Sequence, residues 1–151
     1  MPNTKPWLAA YGGVPESIEY PRIPLYDALL RSAALRRSRA AVDFLGSTLT
    51  YGELIDAIDR CAAALASLGL AAGDRLTISM PTSPQGVMAF YAAGKLGAVA
   101  SLIHPLSTPS EIEGYLTMSR SRVVLTLDAF YDRFAEARER TPLESLILAR
   151  I

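Results

Sequence analysis

From Arg75 to its last residue the chain repeats one unit: a short apolar run, a turn residue, an amphipathic stretch, then another apolar run. The runs are RLTISM from Arg75, AVASLI from Ala98, RVVLTL from Arg122 and SLILARI from Ser145. A strand followed by a helix returns to the sheet pointing the same way as before. Such alternation therefore predicts parallel strands joined by right-handed crossovers. AVASLI is almost wholly apolar and predicts a strand covered on both faces. The fold class expected is α/β: a layered, mostly parallel sheet with helices on both faces.

The helix starts are written in the side chains. Thr50-Tyr51-Gly52-Glu53 has the form of a capping box, in which the threonine oxygen accepts from the third helical amide and the glutamate reaches back. Behind it Leu54, Ile58, Cys61, Leu65 and Leu68 recur at spacings of four and three, an apolar helix face ending at Gly69. Ser83-Pro84 opens a second helix, whose buried side would come from Val87, Phe90 or Tyr91, and Ala93 or Gly94. Thr108-Pro109-Ser110-Glu111 is a second capping box, and its helix is expected through Leu116. Asp128 is expected to cap a helix with Phe130, Phe134 and Ala137 inward and Arg133, Arg138 and Arg140 outward. Thr141-Pro142 ends that helix.

Ahead of this repeat, a helix is expected from about Pro24, with Leu25, Ala28, Leu29 and Ser32 on one face. AVDFL from Ala41 and TLT before Thr50 read as a short hairpin turning at Gly46-Ser47. Residues 1–24 are rich in proline, glycine and tyrosine and read as an irregular arm, pinned to a surface by Trp7, Tyr11 and Tyr20. Residues 25–151 form the α/β subdomain. An apolar strand running to Ile151 suggests a piece of a larger domain, whose bare edge would drive homo-oligomers.

Composition removes several functions. Fifteen basic and fifteen acidic residues leave a net charge of zero, which argues against a nucleic-acid footprint. One cysteine, Cys61, makes no internal disulfide and points to a reducing compartment. The uncharged run from Leu76 to Gly94 is broken by Pro81 and Pro84 and makes a poor membrane span. The first residues lack the apolar run of a secretory signal. A cytoplasmic location is expected, at most peripheral to a membrane.

Gly94-Lys95 suggests a phosphate loop, but Ala89 stands where the first glycine is needed and Leu96 where a hydroxyl is needed. The pair also falls inside a helix, so Gly94 and Gly97 read as packing and capping glycines. His104, the only histidine, sits with Pro105 at the carboxyl end of a strand, the edge where open α/β sheets bind ligands. It has no second imidazole or cysteine near it to share a metal, and no metal site is expected. Asp56 and Asp59 flank the apolar stripe and are expected to face water. No catalytic residue is assigned.

The order of motifs, rather than any one of them, is specific. LTYGELIDAIDRCAAALASLGLAAGDRLTISMPTSPQGVMAFYAAGKLGAV resembles the first two conserved regions of the adenylate-forming superfamily: a TY-x-EL helix start, an LG-x-x-x-GDR turn, an MP-x-S-P turn and an A-x-x-K-x-GAV strand entry. HPLSTPSEIEGYL is similar to the NPL-x-TP-x-E-L segment that follows. KPWLAAYGGVPESIEYP resembles the opening arm of bacterial long-chain fatty acyl-CoA ligases. The family usually has asparagine where Thr82 and His104 stand, and an aromatic where Ser107 stands. The resemblance implies the N-terminal portion of an acyl-CoA synthetase. That enzyme would join a fatty acid to AMP from ATP, with magnesium and release of pyrophosphate, and then pass the acyl group to CoA. Aromatic- or amino-acid activation for a carrier protein is the alternative within the superfamily, and a short non-catalytic α/β binding module is the alternative outside it. No counterpart of the family's Ser/Thr/Gly loop with its trailing lysine is present, since GSTLTYG lacks the lysine. The isolated chain is therefore expected to be inactive and to hold no cofactor. His104, Pro105 and Ser107 are the candidate substrate-binding residues, at the rim of an acyl or CoA pocket.

Overall fold

The computed structural model describes residues 5–151. The first four residues of the expected arm lie outside that range. The elements in order are a 3-10 turn at Pro6–Ala10, α1 (Leu25–Ala34), β1 (Ala40–Phe44), β2 (Ser47–Thr50), α2 (Tyr51–Ser67), β3 (Arg75–Ser79), α3 (Pro84–Lys95), β4 (Val99–Leu102), α4 (Pro109–Ser119), β5 (Val123–Leu127), a 3-10 turn at Asp128–Phe130, α5 (Tyr131–Arg138) and β6 (Ser145–Ala149).

β1 and β2 form an antiparallel hairpin, and the other four strands form a parallel sheet in the order β4-β3-β5-β6. Burial shows both faces of that sheet. Leu76 and Ile78 of β3 and Val123 and Leu125 of β5 pack with Leu54, Ile58 and Leu65 of α2, Ala89, Ala92 and Ala93 of α3, and Tyr26 of α1. Val124, between Val123 and Leu125, points the other way and packs with Ile112 and Leu116 of α4 and Phe134 and Ala137 of α5. A strand's period of two thus feeds two separate cores.

The caps hold as expected. Thr50 Oγ1 accepts from the Glu53 amide at 3.2 Å while Glu53 accepts from the Thr50 amide at 2.8 Å, and Thr108 and Glu111 repeat the pattern. After α2, the Leu70 amide donates to Leu65 O and the Gly69 amide to Ala66 O, with Gly69 at φ +84°. This is a Schellman stop, and it buries Leu70 against Leu65.

Several expectations are corrected. β4 is an edge strand covered only in part: Ala100 and the adjoining Ile103 are half-buried against the two cores, but Val99 is 53% exposed and Leu102 65%. The hairpin turns at Leu45-Gly46, not Gly46-Ser47. Both residues have positive φ, 49° and 80°, the two-residue turn that matches strand twist, and Ser47 already pairs with Phe44. α1 buries Tyr26 and Ala33, with Leu29 beside them, while Leu25 is exposed. Leu68 is exposed and Cys61 half-buried, since α2 turns its Leu54–Ile58–Ala62–Leu65 line to the core. In α3 the fully buried residues are the small ones, because α3 lies directly against α2 and only alanine lets the two approach. α4 runs on to Ser119 and ends at Arg120 in the left-handed region. Asp128 starts a 3-10 turn, and α5 begins after it without a side-chain cap. Trp7, Tyr11 and Tyr20 are exposed rather than pinned, because a ring buries only where an apolar surface meets it.

Candidate functional site

All four parallel strands point their carboxyl ends to one edge, and the loops leaving that edge define the candidate site. Strand order reverses between β3 and β5, where such sheets open a crevice. There Thr126 Oγ1 donates to Ser79 O at 3.1 Å, both residues being fully buried. One strand further along, the largely exposed Arg150 after β6 pairs with Asp128 after β5 at 3.0 Å. Among the described residues Ser79 Oγ has no hydrogen-bond partner.

The open space lies one strand over. A cleft of about 360 Å³ sits between β3, β4 and the first turns of α3, lined by Ile78, Met80, Val87, Phe90, Tyr91 and Leu102. The Phe90 and Tyr91 rings meet edge to face, centroids 5.5 Å apart. Pro81, Thr82, Ser83 and Gly86 complete the lining, and Ser83 Oγ accepts from the Gly86 amide at 3.4 Å as the α3 cap. The cleft offers apolar contact and weak polar anchoring, which suits an apolar group more than a phosphate.

The three residues singled out in the sequence share the loop after β4 without forming one pocket. His104 is exposed, and its Nδ1 accepts from the Leu106 amide at 3.2 Å. It lines a second cleft of about 340 Å³ on the opposite face of β4, with Leu102, Ile103, Tyr115 and Met118. Ser107 is buried; its amide donates to His104 O at 3.1 Å and its carbonyl accepts from Arg133 Nη1 at 3.2 Å. Arg133, expected outward, is therefore half-buried and ties α5 to this loop. Pro105 is half-buried between them. The Glu111 carboxyl is held below its ordinary value by the Thr108 amide and hydroxyl, with His104 adding a smaller pull. The arrangement shapes a loop; it does not assemble a nucleophile with a base.

Gly94-Lys95 lies at the end of α3, as expected, and Lys95 is engaged elsewhere. Its Nζ is 2.7 Å from Asp59 and 3.3 Å from the Tyr26 hydroxyl, over the Tyr26 ring, and that hydroxyl donates to Asp59 at 2.5 Å. Asp59 is exposed to water, as expected, and is paired with these neighbours as well. The hydrogen bonds from Lys95 and then Tyr26 hold its carboxyl below the ordinary range. In the GSTLTYG stretch Thr50 is spent on the α2 cap. Among the described residues no cluster of three or more His, Cys, Asp or Glu could hold a metal ion. The residues present do not fit a magnesium–triphosphate site. No helix described is long and apolar enough to cross a membrane.

The residues the sequence did not single out as a site are those of the apolar cleft. Its one legible sign was the proline pair Pro81 and Pro84 bracketing the turn, since only packing brings Phe90, Tyr91 and Leu102 to that turn.

The sequence model of the AMP-binding enzyme family matches residues 29–149. The chain is 28% identical to a long-chain-fatty-acid–CoA ligase of Bacillus subtilis (strain 168) over 100% of its own length and 27% of the relative's. It is 38% identical to 4-coumarate–CoA ligase 5 of Oryza sativa subsp. japonica, over 72% of this chain and 20% of that protein. Among solved structures, an anthranilate CoA ligase in complex with anthranoyl-AMP superposes with a TM-score of 0.81 at 25% identity, over 84% of this chain and 25% of that one. The chain thus spans about a quarter of the length of the curated relatives it matches.

Proposed function

The chain belongs to the AMP-binding enzyme family, and from that premise we propose that it is the N-terminal part of a long-chain fatty acid–CoA ligase. The complete enzyme would activate the fatty carboxylate with ATP and magnesium and transfer the acyl group to CoA in the cytoplasm, meeting its substrate at a membrane surface. One observation carries the choice of acid. The similarity to the long-chain ligase extends over all of this chain, arm included, while the more identical 4-coumarate ligase covers 72% of it. The apolar cleft beside β4 is compatible with an acyl chain, and His104, Pro105 and Ser107 would shape the rim through which acyl group or CoA passes. Catalytic groups would lie outside this chain.

A second reading, an aromatic carboxylate, is favoured by the 4-coumarate ligase and by the fold match to the anthranilate ligase. The test is to read the gene on from the Ile151 codon and assay the complete enzyme for pyrophosphate exchange. Exchange should be at least tenfold faster with palmitate than with 4-coumarate or anthranilate. The reverse preference overturns the long-chain assignment, and a stop codon directly after Ile151 overturns the parent enzyme. Calorimetry of the chain alone with magnesium-ATP, CoA or palmitate should show no saturable binding. One ATP site per chain would refute the scaffold role.

A further inference from the structure

The loop from His104 to Thr108 joins β4 to α4, and its internal bonds are all local. The Ser107 amide donates to His104 O at 3.1 Å and the Leu106 amide to His104 Nδ1 at 3.2 Å. Bonds that span three residues or fewer shape a turn without fixing where it stands on the fold. Among the described residues one hydrogen bond joins this loop to an element other than the two it connects: Arg133 Nη1 of α5 donates to Ser107 O at 3.2 Å. No other donor among those residues reaches that carbonyl. Ser107 is 6% exposed, so little water is at hand to replace a lost donor. Arg133 is itself held in place. It directly precedes Phe134, which anchors α5 in the second core. Its guanidinium carbon stands 5.4 Å from the centroid of the Phe130 ring, and Phe130 packs against the same core. A guanidinium can lie over a ring and still donate from its edge. Among the described residues Arg133 pairs with no carboxylate, and Ser107 O is its one hydrogen-bond acceptor.

We propose that Arg133 is the positioning residue of the rim: from α5 it holds the His104–Ser107 turn in the shape that presents His104 and Pro105 to the passing acyl group or CoA. This rests on the reading of that loop as the substrate rim. A hydrogen bond from a charged donor is stronger than one between neutral groups, and this donor stands on a packed helix. It therefore ties the turn to the second core. Without it the Ser107 carbonyl has no protein donor, and the two internal bonds hold a turn free to shift as a whole. Substrate would then have to order the loop as it binds, which weakens apparent affinity and leaves the chemical step alone. Arg133 acts through Ser107 and touches no reacting atom.

The test is Arg133→Met, which keeps an unbranched apolar chain beside the Phe130 ring and removes every donor. Hydrogen exchange of the 151-residue chain, followed amide by amide, reads the loop directly. The Leu106 and Ser107 amides should exchange roughly tenfold faster, while the central amides of β3 and β5 keep their rates. A bond that served only general stability would speed all of them together, and that result overturns the proposal. So does an unchanged loop. In the complete enzyme the same substitution should raise KM for the fatty acid or for CoA roughly fivefold, with KM for ATP and kcat within about twofold of the unaltered enzyme. A loosened loop with every KM unchanged overturns the positioning role. A complete enzyme that prefers an aromatic acid overturns the long-chain assignment alone, because the same KM split is then read with that acid.

Discussion

Asp59 shows how one side chain can tie three helices together. It sits on α2, accepts from Tyr26 of α1 and pairs with Lys95 of α3. The pair is partly solvated, with side chains 46% and 34% exposed, so its Coulombic share is modest. The hydroxyl bond matters more, because Tyr26 is buried and would lose its acceptor. Asp59→Ala should therefore destabilise the fold by about 1–2 kcal/mol at neutral pH in urea denaturation. The pH dependence has two sides. Asp59's carboxyl is depressed, so its contribution is full above the ordinary 3.8 and fades as pH falls through the lower folded value. Lys95 is raised above 10.5 by its bond to Asp59, and Tyr26 above 10.0 chiefly by burial. Their contributions are full below those values and fade as pH rises through the folded ones. The gap between native protein and Asp59→Ala should accordingly be widest from about pH 5 to 9 and narrow at both extremes. A gap constant from pH 3 to 9 would show that the network contributes no linkage.

Two glycines separate backbone demand from mere permissiveness at the level of elements. Gly69 closes α2 at φ +84°, where any L side chain is strained. Gly94 lies within α3 with helical neighbours, and an added Cβ there would meet nothing within 4 Å. Gly69→Ala should cost about 1 kcal/mol or more, while Gly94→Ala should stabilise by about 0.5–1 kcal/mol, helix propensity being the only term that changes. Thermal melts of the two variants should move in opposite directions. A destabilised Gly94→Ala would mean that α3 needs room at that turn which the static packing does not show.

The molecule as a whole rests on β5. Val123 and Leu125 belong to one core and Val124 to the other, and β5 pairs with strands on both sides. Phe134, fully buried, is the largest side chain in the second core. Phe134→Ala should cost about 3–5 kcal/mol, enough to threaten a domain of ordinary stability. In hydrogen exchange the central amides of β3 and β5 should be the last to exchange, with the β1–β2 hairpin exchanging earlier. Equal protection of hairpin and sheet would mean that the two unfold as one unit.

What local chemistry decides was legible in the chain itself. The capping boxes at Thr50 and Thr108, the stop at Gly69 and the strand–helix alternation depend on neighbours within four residues or on a simple period. Read in order, the motifs also pointed to the family. Three matters depended on contacts between residues far apart. An all-apolar run looks the same at the centre of a sheet and at its edge, so only the order β4-β3-β5-β6 revealed that Val99 and Leu102 are bare. Asp59 read as a solvated charge and is one, but only packing showed that Tyr26 and Lys95 reach it from 33 and 36 residues away. The apolar cleft exists only where β3, β4 and α3 converge. A side chain's type sets what it can bond to, but its distant neighbours determine whether it is buried, paired or left open. Those neighbours are set by the tertiary fold.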